Sequence, residues 1–256
     1  MKTVVSFSGG RTSAYMLKML LDRGQDIIPV FANTGKERIE TLDFVRDCGI
    51  QWGVHITWLE WRLGVDFDSY AIVTHETASR NGEPFEALIN KANHTPGVRV
   101  RWCTDKLKIR VIRRYLNDLY SYKIPKDTQI AIGIREDERK RANNGGDTRA
   151  FKSVYPLVAA GITKDIVDEY WRNSPFDLNL DSNAGNCDLC FLKAKGKLVD
   201  LLRKRPEAAN WWIDMEERTN STFSARHSYK DLLAMSKLPL KFDVEEGGGV
   251  SCFCTD

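Results

Sequence analysis

Two glycines flanked by hydroxyls set the first chemical expectation. Val4-Val5-Ser6-Phe7 reads as a β-strand, and Ser8-Gly9-Gly10-Arg11-Thr12-Ser13 follows it directly, ahead of a segment with helical spacing. A strand, a glycine turn and a helix in that order aim consecutive backbone N–H groups and the positive end of a helix dipole at one point, which suits a phosphate. Ser6, Ser8, Thr12 and Ser13 add hydroxyls, while Gly9 and Gly10 let the chain approach an anion with no Cβ in the way. A lone Gly-Gly would be an ordinary strand-to-helix turn. The hydroxyls on both sides favour phosphate binding.

Cysteine spacing sets the second expectation. Cys187 and Cys190, separated by two residues, can reach one metal from a tight turn, and Cys252 and Cys254 form another close pair. Cys103, in Arg101-Trp102-Cys103-Thr104, stands just ahead of a helix N-terminus, where the dipole and basic neighbours favour a thiolate. With no regularly spaced histidine partner, such cysteines suit an all-thiolate, four-ligand site. Zinc and a 4Fe-4S cluster both fit that spacing, and a catalytic disulfide pair is a third reading of Cys187 and Cys190. Cys48, near the end of an amphipathic helix, reads as a small buried apolar residue, and the four histidines fall in no ligand-like or triad-like arrangement.

These groups need elements to position them. The first half of the chain alternates strand and helix: Val4 to Phe7, Ala14 to Arg23, Ile27 to Ala32, Glu37 to Cys48 and Val54 to Leu59. That βαβαβ pattern predicts a parallel sheet with right-handed crossovers. Arg62 to Glu83 reads as a long loop, Pro84 opens a short helix to Lys91, and Asp105 to Tyr120 is an amphipathic helix with Leu107, Val111, Tyr115 and Leu119 at four-residue spacing. Thr128 to Ile134 reads as a fourth strand and Ser153 to Val158 as a shorter fifth. Thr163 caps a helix reaching Trp171, and beyond Asn173 only helices are suggested. We therefore expect a nucleotide-binding α/β domain over residues 1–175 and a helical, cysteine-bearing region over residues 176–256.

Ligands of open α/β sheets collect at the carboxyl ends of the strands. The second strand ends in Phe31-Ala32-Asn33-Thr34-Gly35, where backbone groups near Phe31 could read an adenine ring and Asn33 and Thr34 offer polar contacts; alone, Asn-Thr-Gly is an ordinary turn. The fourth strand ends in Gly133-Ile134-Arg135, which places a guanidinium on the same edge to grip a phosphate. Arg99, Arg101, Lys106, Lys108 and Arg110 add positive charge near Cys103; a polyanion or a solvated helix face accounts for them equally well.

Composition excludes little but bounds the class. The chain has 256 residues, 42% of them hydrophobic and 29% charged, which is ordinary for a soluble globular protein. Its net charge of +3 is too small to imply nucleic acid by itself. No apolar run approaches bilayer length, and Met1-Lys2 leads into a strand rather than a signal segment, so a cytoplasmic protein is expected. Cysteine usage in that setting points to metal or redox chemistry rather than a disulfide framework.

Ser8-Gly9-Gly10-Arg11-Thr12-Ser13 resembles the pyrophosphate loop of the N-type ATP pyrophosphatase and PAPS reductase superfamily. Phe31-Ala32-Asn33-Thr34-Gly35, Arg101-Trp102-Cys103-Thr104-Asp105-Lys106-Leu107-Lys108, Gly133-Ile134-Arg135 and Tyr155-Pro156-Leu157 resemble later motifs of that group, in the same order. The cysteine-bearing region is similar to that of its iron–sulfur members. The resemblance implies a Rossmann-like, five-stranded parallel α/β domain of the adenine nucleotide alpha-hydrolase type. Two departures stand out: Thr12 occupies the place of the usual aspartate, and Trp102 precedes Cys103 where iron–sulfur reductases carry paired cysteines. The intact Gly9-Gly10 pair favours ATP over PAPS.

On this reading ATP, with Mg²⁺, binds over Ser6, Ser8, Gly9, Gly10, Arg11, Thr12, Ser13, Phe31, Asn33, Thr34, Gly133 and Arg135. An acceptor oxygen attacks the α-phosphorus with help from Ser13 and Arg135. Sulfur then reaches a nucleotide, tRNA or DNA substrate through a 4Fe-4S cluster on Cys103, Cys187, Cys190 and Cys254. A separate sulfur donor is implied, no membrane is, and a homodimer is left open. One alternative is a PAPS or APS reductase with Cys252 as nucleophile and thioredoxin as partner; another is a zinc-stapled nucleotide- or nucleic-acid-binding module.

Overall fold

The computed structural model describes residues 2–64, 68–144, 152–180 and 185–239, so Cys252 and Cys254 lie outside the described residues. One sheet contains β1 (Thr3–Ser6), β2 (Ile27–Asn33), β3 (Thr57–Arg62), β4 (Ser69–Val73), β5 (Gln129–Ile132) and β6 (Lys152–Val154), in the order β4-β3-β2-β1-β5-β6. Every neighbouring pair is parallel except β3 and β4. The protein is α/β as expected, but the five-stranded parallel sheet is corrected to a mixed sheet of six strands. The extra strand is β4, drawn from the stretch read as a loop. It is short and lies on the sheet edge with none of its residues fully buried, so it lacks the apolar alternation that marks a strand in sequence.

The helices are α1 (Arg11–Asp22), α2 (Ile39–Trp52), α3 (Glu83–Ala92), α4 (Trp102–Thr104), α5 (Arg110–Leu119), α6 (Arg139–Asn144), α7 (Pro156–Ala159), α8 (Lys164–Arg172), α9 (Lys195–Lys204), α10 (Ala209–Thr219) and α11 (Tyr229–Ser236). Between α4 and α5, Asp105–Ile109 adopts a π-helical pitch, so the single predicted helix is present but locally unwound. Such bulges recur near functional sites. The fifth predicted strand is shortened to β6 because Pro156 opens α7 instead.

Burial explains the framework. Val4 and Val5 of β1 are fully enclosed, flanked by β2 and β5, and α1 buries Ala14, Met16, Leu17 and Leu20 against the sheet. Each such aliphatic side chain contributes about 1.5–3 kcal/mol relative to exposure. Pro29 is tolerated in β2 because it pairs with Val5 of β1 alone; pairing with β3 begins at Val30. The C-terminal helices share this core. Phe85 of α3 packs on Trp211 and Trp212 of α10, and Trp212 stacks on Tyr229 of α11 with ring centroids 4.9 Å apart. Among the described residues, no helix is long and apolar enough to cross a membrane.

Candidate functional site

Strand order places a crevice before any side chain is considered. β1 has β2 on one side and β5 on the other, so the connections leaving β1 and β5 diverge at their carboxyl ends, which is where open α/β sheets take ligands. The glycine loop leaves β1 at this point, and Gly133 to Arg135 leave β5 beside it.

The loop is built to turn tightly. Gly9 has φ of +84°, and a Cβ there would stand 2.6 Å from Thr41 Cγ2 and 3.2 Å from Phe31 Cε2. Only glycine fits both the left-handed backbone and the space. Gly10 takes the N-cap position of α1 with no side chain capping the first turn. The backbone N–H of Ser8 donates to Ser13 Oγ at 3.2 Å, the two serine hydroxyls lie 2.8 Å apart, and Ser13 Oγ donates to the Gly10 carbonyl at 3.0 Å. Ser8 and Ser13 therefore close the loop on itself. At Gly133 a Cβ would come within 3.0 Å of Ser13 Cα, so the segment leaving β5 runs against the first turn of α1.

That approach delivers Arg135. It is buried, its Nη1 donates to Thr12 Oγ1 at 2.9 Å, and its Nε pairs with Asp137 at 3.2 Å. Two sequence-nominated residues, 123 positions apart, meet here. A cavity of about 550 Å³ opens beside them, bounded by Arg11, Thr12, Arg135, Lys164, Leu178 and Asn186 among others. Its lining mixes the cations Arg11, Arg135, Lys164 and Arg172 with the carboxylates of Asp165, Asp168 and Asp177, and Val167, Leu178 and Leu180 give it an apolar wall.

The other end of the nominated set is structural as placed. Asn33 is fully buried: its amide donates to Glu60 at 2.7 Å and to the Ser79 carbonyl at 2.9 Å, and its Oδ1 accepts from the Gly35 N–H at 3.0 Å. The Thr34 N–H and hydroxyl both donate to Glu37 Oε2. Phe31 packs between Phe7 and Trp58. As placed, the Asn33 amide and the Thr34 N–H and hydroxyl are engaged within the protein rather than presented to a ligand.

The cysteine turn sits on the same sheet edge. Glu37 and Cys187 form an isolated antiparallel bridge, and the Asp188 N–H donates to the Lys36 carbonyl at 2.7 Å. Cys187 and Cys190 are half-buried and their thiols interact directly; that hydrogen bond, then burial, raises the Cys187 thiol well above its ordinary value. Burial lowers the Lys36 ammonium, against the pull of Asp188, Cys187 and Glu37. Lys36 lies over the Trp211 ring at 4.7 Å, and Lys193 Nζ donates to the Cys187 carbonyl at 2.7 Å. Cys103, at the start of the 102–119 helical segment, is half-buried. Among the described residues no group of three or more His, Cys, Asp or Glu side chains is arranged to hold a metal, so Cys103 is not gathered with Cys187 and Cys190.

Three polar residues of this region escaped the sequence reading: Asp177, Asn186 and Lys36. Asn186 had a signal, its place beside Cys187; Asp177 had none, because its role comes from pairing with Arg11 across 166 positions.

No family model matches the chain. It is 31% identical over 207 residues to the uncharacterized nin region protein ORF290 of Escherichia phage lambda, a match covering 77% of this chain and 68% of that protein. It is also 28% identical over 153 residues to the uncharacterized protein MJ0066 of Methanocaldococcus jannaschii, covering 59% of this chain and 26% of the archaeal protein.

Proposed function

This chain belongs to the family of the phage lambda nin region protein ORF290, and from the site it presents we propose that it activates an acceptor oxygen with ATP and releases pyrophosphate. One observation carries the reading: the buried Arg135 guanidinium, from the end of β5, meets Thr12 in the uncapped first turn of α1, beside a cavity of about 550 Å³. The motif resemblance to N-type ATP pyrophosphatases and PAPS reductases supports it.

The phosphates would lie over Ser8 to Ser13. The acceptor oxygen forms a bond to the α-phosphorus as the bridging bond to the β-phosphate breaks; pyrophosphate leaves with that electron pair and the acceptor proton goes to solvent. Charge grows on the leaving oxygens, where the N–H groups of Arg11, Thr12 and Ser13 and the guanidinium of Arg135 offset it. Mg²⁺ would arrive with the nucleotide and share that load. Arg135 contacts the hydroxyl of Thr12, so a fixed cation stands beside the position where the ATP pyrophosphatase loops that this one resembles usually carry an aspartate.

The donor set fits half of a four-thiolate centre. Cys187 and Cys190 meet in one turn among Lys36, Lys193, Glu37 and Asp188, where a bound metal would have to draw off thiol protons that the fold retains, while Cys103 stands apart and Cys254 lies outside the described residues. A cluster bound there would pass on sulfur from a separate donor to replace the activated oxygen. The reductase reading would instead use Cys252 on a sulfonucleotide.

The test is an anaerobic incubation with ATP or PAPS across tRNA, DNA and nucleotide acceptors. ATP-dependent pyrophosphate release supports adenylation. Sulfite release from PAPS without pyrophosphate transfers the site to the reductase reading.

A further inference from the structure

Asp137 sits where two walls of the cavity are joined. It lies in a single 3₁₀ turn, Glu136–Glu138, that follows Arg135 directly. Its carboxylate takes the Arg135 guanidinium along one edge: Nε donates to Oδ1 at 3.2 Å and Nη2 to Oδ2 at 3.4 Å. Oδ1 also accepts the backbone N–H of Lys164 at 3.1 Å, in the first turn of α8. Thr163 holds the N-cap place of α8 but its side chain makes no capping bond, so Asp137 supplies an acceptor from 27 positions away. The Glu136 N–H donates to the Ile162 carbonyl at 2.8 Å, which ties the same turn to the chain entering α8. Lys164, Val167, Asp168 and Trp171 of α8 line the same cavity as Arg135 and Thr12.

We propose that Asp137 is a positioning residue for the activation step: it sets the plane of the Arg135 guanidinium, keeping that charge on the first turn of α1, and fixes α8 through the same carboxylate. The inference rests on the activation reading and adds to it the residue that holds its cation. Arg135 reaches Thr12 Oγ1 through Nη1 at 2.9 Å, on the side of the guanidinium away from the Asp137 edge. Two donors on one carboxylate fix orientation as well as distance. Glu138 adds a second hold, its Oε2 lying 3.4 Å from Nη2. The role asked of Arg135 is electrostatic, a cation beside the departing phosphates, and needs no donor beyond those already engaged. Misplaced by about 1 Å, the guanidinium still attracts ATP, but its field no longer meets the leaving oxygens where their charge grows. Asp137 is also a negative charge, and removing that charge alone would favour ATP. A fall in turnover on its removal therefore separates orientation from net charge.

Steady-state pyrophosphate release from ATP and Mg²⁺ by the full chain tests this, with tRNA, DNA and nucleotide acceptors. The variants are Asp137→Asn, Asp137→Glu, Arg135→Lys and the Arg135→Lys/Asp137→Asn double variant. Asp137→Asn keeps an oxygen for the Lys164 N–H and loses the charged fork on Arg135. Its kcat is expected to fall about tenfold, the size expected for losing a charge-assisted contact, with KM for ATP within about twofold of wild type. Asp137→Glu, which keeps the carboxylate, should recover part of the turnover. In the Arg135→Lys background Asp137→Asn should cost little more, because Asp137 acts through Arg135. Thermal melts check that each variant folds; a merely structural role would lower the melting temperature and leave kcat of the folded protein intact. Should Asp137→Asn not fold, Asp137→Glu carries the test: a lowered kcat that disappears in the Arg135→Lys background supports the inference, and an unchanged kcat overturns it. Unchanged kcat in a folded Asp137→Asn overturns the inference, as do a loss carried by KM alone and a loss that adds in full to that of Arg135→Lys. Wild type that releases no pyrophosphate with any of these acceptors overturns the activation reading and this inference with it; active wild type with an indifferent Asp137 overturns this inference alone.

Discussion

Asn186 Nδ2 donates to the carbonyl oxygen of Ser8 at 3.3 Å, joining residues 178 positions apart. The neighbour of Asn186 in sequence is Cys187, so one short segment touches the glycine loop with one residue and carries the first thiol of the Cys187–Cys190 pair on the next. The Asn186 carbonyl also accepts from the Arg38 N–H at 3.0 Å and lies 3.4 Å from the Thr41 hydroxyl, which ties the same segment to the start of α2. A nucleotide on the loop and chemistry at the cysteines would share this one support.

Asn186→Ala removes the side-chain link and leaves the backbone one. We expect a loss of about 1–2 kcal/mol in stability and weaker pyrophosphate binding, because a loop held by one less bond must be ordered by the ligand. Calorimetric binding alongside thermal melts measures both. Unchanged binding would show that the Ser8 contact does not shape the loop.

Arg135→Lys keeps the charge and discards the fork. Lysine has no second nitrogen to reach Thr12 and Asp137 together, as Arg135 does at 2.9 and 3.2 Å. The expected result is at least about a tenfold fall in ATP-dependent pyrophosphate release, set against a modest shift in melting temperature. Steady-state kinetics with wild type and variant side by side would decide it.

Gly9→Ala tests the turn itself. The new Cβ would meet Thr41 Cγ2 at 2.6 Å on a backbone with φ of +84°. We expect a loss of about 1–3 kcal/mol from the backbone conformation, plus the cost of the clash. Adding Thr41→Ser removes the offending methyl but not the φ, so the double variant should recover part of the stability and not all of it. Complete recovery in urea unfolding would mean that the left-handed conformation costs nothing here.

What could be read in advance follows physical range. β1, α1, β2 and α2 are local patterns of apolar spacing and glycine stops, and each appears within a few residues of its expected place. Thr12 and Arg135 were nominated separately, and sheet topology alone was enough to bring their strand ends together. β4 was invisible because an edge strand with no buried face leaves no pattern. Asn33 looked available because its type is polar; its burial under Glu60 and Ser79 depends on residues 27 and 46 positions away, which spacing cannot report. Asp177 was missed for the same reason.

The cysteines separate by loss of metal. If Cys187 and Cys190 hold a shared centre, Cys187→Ser should lose most of the bound iron or zinc from protein purified without oxygen. Cys103 is not gathered with that pair among the described residues, so Cys103→Ser tests whether it belongs to the ligand set at all. Elemental analysis with acid-labile sulfide distinguishes a cluster from zinc. Full metal content in Cys103→Ser would remove Cys103 from the ligand set, and full content in Cys187→Ser would exclude the pair itself.

Glu216 predicts a pH dependence that belongs to the C-terminal helices rather than to the site. It is buried on α10, and its two oxygens accept the N–H groups of Phe223 at 3.1 Å and Tyr229 at 2.8 Å. Burial raises its pKa above the ordinary 4.5, and the two backbone bonds oppose that shift without cancelling it. Between 4.5 and the raised value the folded chain therefore holds more protons than the unfolded one. Stability from this group is fully present below about pH 4.5 and falls as pH rises through the folded-state pKa. Glu216→Gln cannot titrate, and its NH₂ must face one of the two backbone N–H groups, at a cost of about 1–3 kcal/mol at the acid end. Unfolding in urea from pH 4 upward should show the variant below wild type at first, with the gap narrowing as wild type alone loses stability. A gap that widens with rising pH would mean that Glu216 prefers to be ionised in the fold, and that its two amide donors outweigh its burial.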